Sequence, residues 1–244
     1  MPTEIHTFPD PPALFQSAAQ EFLTSAQAAI EARGKFTVAL SGGSTPKNLY
    51  ALLSTMPEIP WEKTYLFFGD ERDVAPDDPE SNYRMVSEAL LSKAPIPSEN
   101  VFRVRTEVKD AEAAALEYEQ TIQKFFGLKP GEFPRFDLIF LGMGPDGHTA
   151  SLFPGSAAAS EMHRLVVANW VEKFKTYRIT FTFPVLNNAA CVTFLASGPD
   201  KEPMVRQILG ENRKDLPSAQ VHPTDGRLVW LLDSAAAEGL AAKT

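Results

Sequence analysis

The chain has 244 residues, 44% of them hydrophobic and 17 of them Phe, with 31 acidic against 23 basic side chains for a formal net charge of −8. That length can bury a sizeable core, and no linker-like stretch divides it, so a single α/β domain over residues 1–244 is expected. The acid excess argues against a nucleic-acid groove or a basic membrane surface as the main partner, while a few local cations suffice for one phosphate.

Asp10 followed by Pro11 and Pro12 predicts a helix N-cap with proline in the first turn. Leu14, Phe15, Ala18, Phe22 and Ala26 then recur at helical spacing, and Gly34 ends the run. Residues 35–40 read as a strand, Ser41-Gly42-Gly43-Ser44-Thr45-Pro46 as a glycine turn, and 47–53 as the next helix. Residues 65–68 are a second buried strand, ending in Gly69-Asp70-Glu71-Arg72. Helices are predicted over 80–93 and 111–126, and a third apolar strand over 136–141, ending in Gly142-Met143-Gly144. Further strands are expected at 178–183, 192–196 and 228–232, with helical segments at 204–209 and 235–242.

This alternation predicts a three-layer α/β/α fold with a mostly parallel, Rossmann-like sheet. Strands buried on both faces should read as continuous apolar runs, as TVAL, YLFF and DLIFLG do. In such sheets ligands bind beyond the carboxyl ends of the strands. Three polar loops, SGGSTP, GDER and GMGPDGHTAS, directly follow apolar strands, and a parallel sheet would bring all three to one edge.

Each loop carries its own chemistry. In the first, adjacent Gly42 and Gly43 let the backbone approach a ligand, a helix N-terminus favours an anion, and Ser44 and Thr45 offer hydroxyls. An ordinary turn with a Ser or Thr cap would look similar, and the spacing is neither a Walker loop nor a dinucleotide fingerprint. In the second, Arg72 could hold a phosphate or carboxylate through two parallel hydrogen bonds, with Asp70 orienting it or taking a substrate proton. A solvated turn with an internal ion pair is the bland alternative. In the third, His148 has a ring suited to proton transfer at neutral pH. Asp146, two residues earlier across a glycine, can turn back to fix its tautomer.

His6, His163 and His222 lack such company. No HxH, HExxH or Cys/His cluster is present, so no metal site is expected, and the absence of GxSxG argues against a serine hydrolase of that type. Arg178, opening RITFTF, and Lys201, after FLASGPD, could each reach a phosphate at the sheet edge or be plain surface cations. The lone Cys191 excludes an internal disulfide and reads as a small core residue in a reducing compartment. MPTEIHTFPDPP shows no basic-then-apolar signal, and no apolar run approaches the ~20 residues of a membrane span. A cytoplasmic protein without a membrane partner is expected.

The segments LSGGSTP, FFGDERDVAPDDPESNYRM, FDLIFLGMGPDGHTASLFPG, YRITFTFPVLNNA, FLASGPDKEPMV and GRLVWLLDSAAAEGL, in this order, resemble the 6-phosphogluconolactonases, within the wider family that includes glucosamine-6-phosphate isomerases. The resemblance implies hydrolysis of 6-phospho-D-glucono-1,5-lactone in the oxidative pentose phosphate pathway, with a small sugar-phosphate lactone as partner and no cofactor. It places the family histidine on His148 and the family arginine on Arg72. Sugar-phosphate contacts fall on Gly42, Gly43, Ser44, Thr45, Arg178 and Lys201, with Asn82 of SNYR a further candidate. Relatives often carry proline shortly before the arginine, where this chain has Lys175-Thr176-Tyr177. Glucosamine-6-phosphate deaminases of the family typically carry a glutamate five residues after the histidine; here that position is Phe153. That deaminase and a non-catalytic sugar-phosphate sensor are the rival readings.

Overall fold

The structure is a computed structural model that describes residues 3–211 and 213–240. Its strands are β1 (Glu4–Phe8), β2 (Phe36–Leu40), β3 (Thr64–Phe68), β4 (Asp70–Arg72), β5 (Val101–Phe102), β6 (Leu138–Leu141), β7 (Val166–Val171), β8 (Thr176–Phe181), β9 (Cys191–Ala196) and β10 (Arg227–Asp233). Seven of them form one all-parallel sheet in the order β1-β10-β9-β6-β2-β3-β5, and β4-β8-β7 form a small antiparallel sheet. The helices are α1 (Pro11–Arg33), α2 (Ser44–Leu53), α3 (Asn82–Val86), α4 (Ala111–Phe126), α5 (Phe183–Asn187), α6 (Glu202–Val205) and α7 (Ser234–Ala237).

Capping sets the limits of α1. The Asp10 side chain accepts a hydrogen bond from the Ala13 amide at 2.9 Å, and Gly34, at φ 75°, closes the helix in the left-handed conformation. An N-cap of this kind contributes about 1 kcal/mol. Leu14, Ala18, Phe22 and Ala26 point inward, and the Phe22 ring meets Phe36 of β2 edge-on at 5.1 Å.

Both faces of the parallel sheet are covered, which explains its unbroken apolar strands. Phe36, Val38 and Leu40 of β2, with Leu66 and Phe68 of β3 and Leu138 and Phe140 of β6, pack toward α1 and α2. The intervening Ala39, Phe67, Ile139 and Leu141 join the opposite core, built with α4 and the small sheet. The three-layer, mostly parallel architecture expected from the sequence is what the chain forms.

Several elements differ from the sequence expectation, among them β5, which was not expected, and α5, which opens at Phe183 where a strand was expected to end. Residues 70–72, read as a turn, are β4: Asp70 pairs with Thr180 and Arg72 with Arg178 across the small sheet. A three-residue charged strand gives no alternation to read. Strands β1 and β7 were not anticipated either, because β1 keeps a largely exposed face and β7 buries Asn169 among its apolar residues. Of the helix expected at 235–242, residues 235–237 fall in α7, 238–240 form a turn, and 241–242 lie outside the described residues.

Candidate active site

The strand order reverses between β2 and β6, and the loops after β2, β3 and β6 meet there at the carboxyl edge. They enclose a cavity of about 240 Å³ lined by Ser41 through Pro46, Asp70, Arg72, Asn82, Gly142 through Gly144, His148, Ala150, Leu195 and Lys201. Two buried tyrosines bond the backbone at the ends of β2 and β3. The Tyr50 hydroxyl accepts from the Ser41 amide (2.9 Å) and donates to the Ser41 carbonyl (3.0 Å); Tyr118 does the same for Phe68 (2.8 and 3.0 Å). Burial pushes both phenols above their ordinary range, so they remain neutral at working pH.

The glycine loop opens α2 without a side-chain cap. Gly43 sits at φ 109°, a conformation that favours glycine. Gly42 is required for space: a Cβ there would lie 1.9 Å from Asn82 Oδ1. Asn82 is buried and donates through Nδ2 to the Asp70 carbonyl at 2.9 Å, so β4, α3 and the glycine loop are locked together. Ser44 and Thr45 supply the first-turn amides of α2, beside Pro46, which has none.

His148 stands opposite. Its Nδ1 lies 2.5 Å from Asp146 Oδ1, and the same oxygen accepts the His148 amide at 3.3 Å. With Nδ1 held by a carboxylate, the ring carries its proton there and leaves Nε2 as the basic nitrogen toward the cavity. Burial works to raise the Asp146 carboxyl, but the hydrogen bond and charge of His148 outweigh it and hold it below the usual carboxylate range. One face of the ring stacks on Phe153 at 4.2 Å. On the Gly144 side, a Cβ would come within 2.0 Å of Cε1. Ser151, three residues on, anchors the loop: its Oγ donates to Asp70 Oδ2 (2.7 Å), its amide to Thr180 Oγ1 (3.1 Å), and its carbonyl accepts from Asn169 (2.9 Å).

Arg72 and Arg178 are directly opposed across β4 and β8, so their guanidinium groups share one face. Burial, and then the Arg72 charge, hold Arg178 below the ordinary arginine range. Arg72 Nη1 donates to the Glu80 carbonyl, at 2.5 Å, but Nε of Arg72 and Nε of Arg178 are buried without a partner, as is Ser41 Oγ. Each such buried donor costs about 1–3 kcal/mol when unpaired, and two of the three, Arg72 Nε and Ser41 Oγ, belong to residues that line the cavity. Lys201 lines the cavity with Nζ 3.3 Å from Asp200 Oδ2. Arg178 itself does not line it; it is the cross-strand neighbour of Arg72.

Thus Gly42, Gly43, Ser44, Thr45, Asp70, Arg72, Asn82, His148 and Lys201 are brought to one cavity, with Asp146 and Arg178 in contact with members of its wall. The sequence reading passed over Glu71. Its buried carboxylate accepts from the amides of Arg72, Asn82 and Tyr83, each at 2.7 Å, and from Ser81 Oγ at 3.2 Å. Burial raises this carboxyl, opposed by those amides. It fixes the start of α3, and through it Asn82; the only signal was its place inside DER. Ser151 and Lys173, whose Nζ is 3.7 Å from Asp146 Oδ2, were also missed. Among the described residues no group of three or more His, Cys, Asp or Glu could hold a metal ion, and no helix is long and apolar enough to cross a membrane.

Fold and site together define a class: open-sheet α/β proteins with a cationic cavity at the carboxyl edge of the strands, beside a carboxylate-held histidine. The family model for glucosamine-6-phosphate isomerases/6-phosphogluconolactonase matches residues 9–230, and the chain belongs to that family. It is 43% identical over 238 residues to a 6-phosphogluconolactonase of Nostoc sp., covering 97% of this chain and 98% of the relative. It also superposes on the 6-phosphogluconolactonase of Trypanosoma cruzi with a TM-score of 0.88 at 33% identity, covering 99% and 98% of the two chains. The corresponding enzyme of Thermotoga maritima gives 0.83 at 33% identity, covering 95% and 100%.

Proposed function

We propose that this chain hydrolyses 6-phospho-D-glucono-1,5-lactone to 6-phosphogluconate, in the cytoplasmic oxidative pentose phosphate pathway, with His148 as general base. The observation that carries the reading is the 2.5 Å contact of His148 Nδ1 with Asp146, which leaves Nε2 for a water molecule. In this mechanism Nε2 takes a proton from water as its oxygen attacks the lactone carbonyl. Asp146 steadies the imidazolium that forms. The carbonyl oxygen gains negative charge in the tetrahedral intermediate, and the first-turn amides of α2 and the Arg72 guanidinium are the donors that face it. Collapse of the intermediate breaks the bond to the ring oxygen, which receives the proton from Nε2.

Lys201 and Arg178 anchor the phosphate, and that remote binding energy orients the carbonyl. Ser44, Thr45 and Asn82 meet sugar hydroxyls. Phe153 supports a hydrolase over a deaminase: the residue stacked on His148 is apolar and has no carboxylate to open an amino-sugar ring. The test is a lactonase assay on freshly made 6-phosphogluconolactone, corrected for spontaneous hydrolysis, with glucosamine-6-phosphate run beside it. Turnover of the lactone alone is expected. Turnover of the amino sugar, or no rate above the uncatalysed control, contradicts the reading.

A further inference from the structure

The turn joining β7 to β8, residues 172–175, reaches the His148–Asp146 pair from a separate sheet. Its strands close at Val171–Thr176, the Phe174 amide donates to the Val171 carbonyl at 3.0 Å, and Lys175 adopts φ 52°. A non-glycine residue in that region is uncommon and strained, so the turn shape is held by other contacts. Glu172 provides them: it accepts from Trp170 Nε1 at 2.8 Å and pairs with Lys175. The charges of Glu172 and Lys175 are thereby engaged with each other. Lys173 is directed elsewhere, with Nζ 3.7 Å from Asp146 Oδ2, the oxygen that His148 does not use. The neighbouring Phe174 meets Phe153 edge-on at 6.1 Å and lies 5.2 Å beneath the Arg178 guanidinium, while Phe153 stacks on His148. The turn thus touches both members of the pair, Asp146 through Lys173 and His148 through Phe174 and Phe153.

We propose that Lys173 is a positioning residue for the general base: it holds Asp146 Oδ2, so that Oδ1 alone serves His148 Nδ1. The proposal rests on the reading of His148 as the base. A carboxylate beside an imidazole favours the charged ring, and a cation on the far side of that carboxylate opposes the effect. The other charged groups around the cavity are Arg72 and Asp70 from β4 and Lys201 before α6, the last engaged with Asp200. Among the described residues Lys173 is the only lysine or arginine within ion-pair distance of Asp146. Lys173 is half-exposed, with 57% of its side chain accessible, so the effect is bounded by that of a surface ion pair. This corresponds to roughly 0.2–0.7 pH units.

Lys173→Met and Lys173→Arg test the proposal by two readouts. One is the NMR titration of the His148 ring, assigned among the four histidines by its loss in His148→Ala. The other is the acid limb of kcat/KM on 6-phosphogluconolactone. Lys173→Met should move both upward by the same few tenths of a pH unit, and Lys173→Arg should leave both in place. A ring titration unmoved in Lys173→Met overturns the role of Lys173 while leaving His148 as the base. A ring titration that moves without the acid limb following overturns the general-base reading, and the proposal with it.

Discussion

Replacing Gly144 by Ala isolates the geometry of the general base from the rest of the site. Gly144 is not among the residues of left-handed conformation, so alanine fits its backbone. Its Cβ would nevertheless lie 2.0 Å from Cε1 and 2.1 Å from Nδ1 of His148. Carbon contacts settle near 3.5–4.0 Å, so the ring must retreat by about 1.5 Å. The ring is also stacked on Phe153 at 4.2 Å, and Nδ1 is tethered to Asp146, so it has little freedom to move with both contacts kept. The ring therefore leaves its place by a displacement large enough to break the Nδ1–Oδ1 contact. Misplacement by about 1 Å costs on the order of 10²-fold in rate, and complete loss of a general base about 10²–10⁴-fold. Gly144→Ala should lower kcat on the phosphorylated lactone by about 100-fold, with KM nearly unchanged because Lys201 and Arg178 stay in place. The assay is initial-rate kinetics after subtraction of spontaneous hydrolysis, beside a thermal melt to show that the fold persists. A folded Gly144→Ala protein with wild-type kcat would refute the argument that ring placement governs the rate.

Two further outcomes follow from the charged groups. Lys201→Met should reduce kcat/KM on the phosphorylated lactone by roughly 10- to 100-fold, and leave the rate on unphosphorylated gluconolactone nearly unchanged; equal losses on both would make Lys201 structural. Asp146 has a folded-state pKa below its unfolded value, so its stabilising contribution is present above the unfolded carboxyl range and is lost as pH falls through the folded value. Asp146→Asn should therefore lie below the wild type in Tm at pH 6, with the gap closing toward pH 3, and a gap independent of pH would contradict this.

Much of the frame was legible because its causes are local. Asp10, Pro11 and Gly34 carry the limits of α1 in their own chemistry, and α4 follows Asp110 and ends at Gly127 by the same devices. The buried strands stand out because both faces are covered. The site was legible where a strand end and a polar loop coincide, as at Gly42, Arg72 and His148. Long-range partners were not. Nothing in the sequence says that Asp70–Arg72 pairs with residues 178–180, or that Asn82 fills the space left by Gly42. Glu71 reads as a surface acid until three amides are seen to converge on it. Lys173 sits in a charged turn, EKFK, where spacing gives no reason to prefer one lysine over the other.

The central claim is that His148, held by Asp146, takes the proton from water. Its most direct test is kcat/KM against pH for the wild type and His148→Ala on 6-phosphogluconolactone, with the spontaneous rate subtracted. The wild type should lose activity on acidification through a single ionisation. His148→Ala should fall by about 10²–10⁴-fold and lose that acid limb. Near-wild-type activity with an unchanged acid limb in His148→Ala would contradict the account and transfer the role of base to another group, with the buried Asp70 the first to examine.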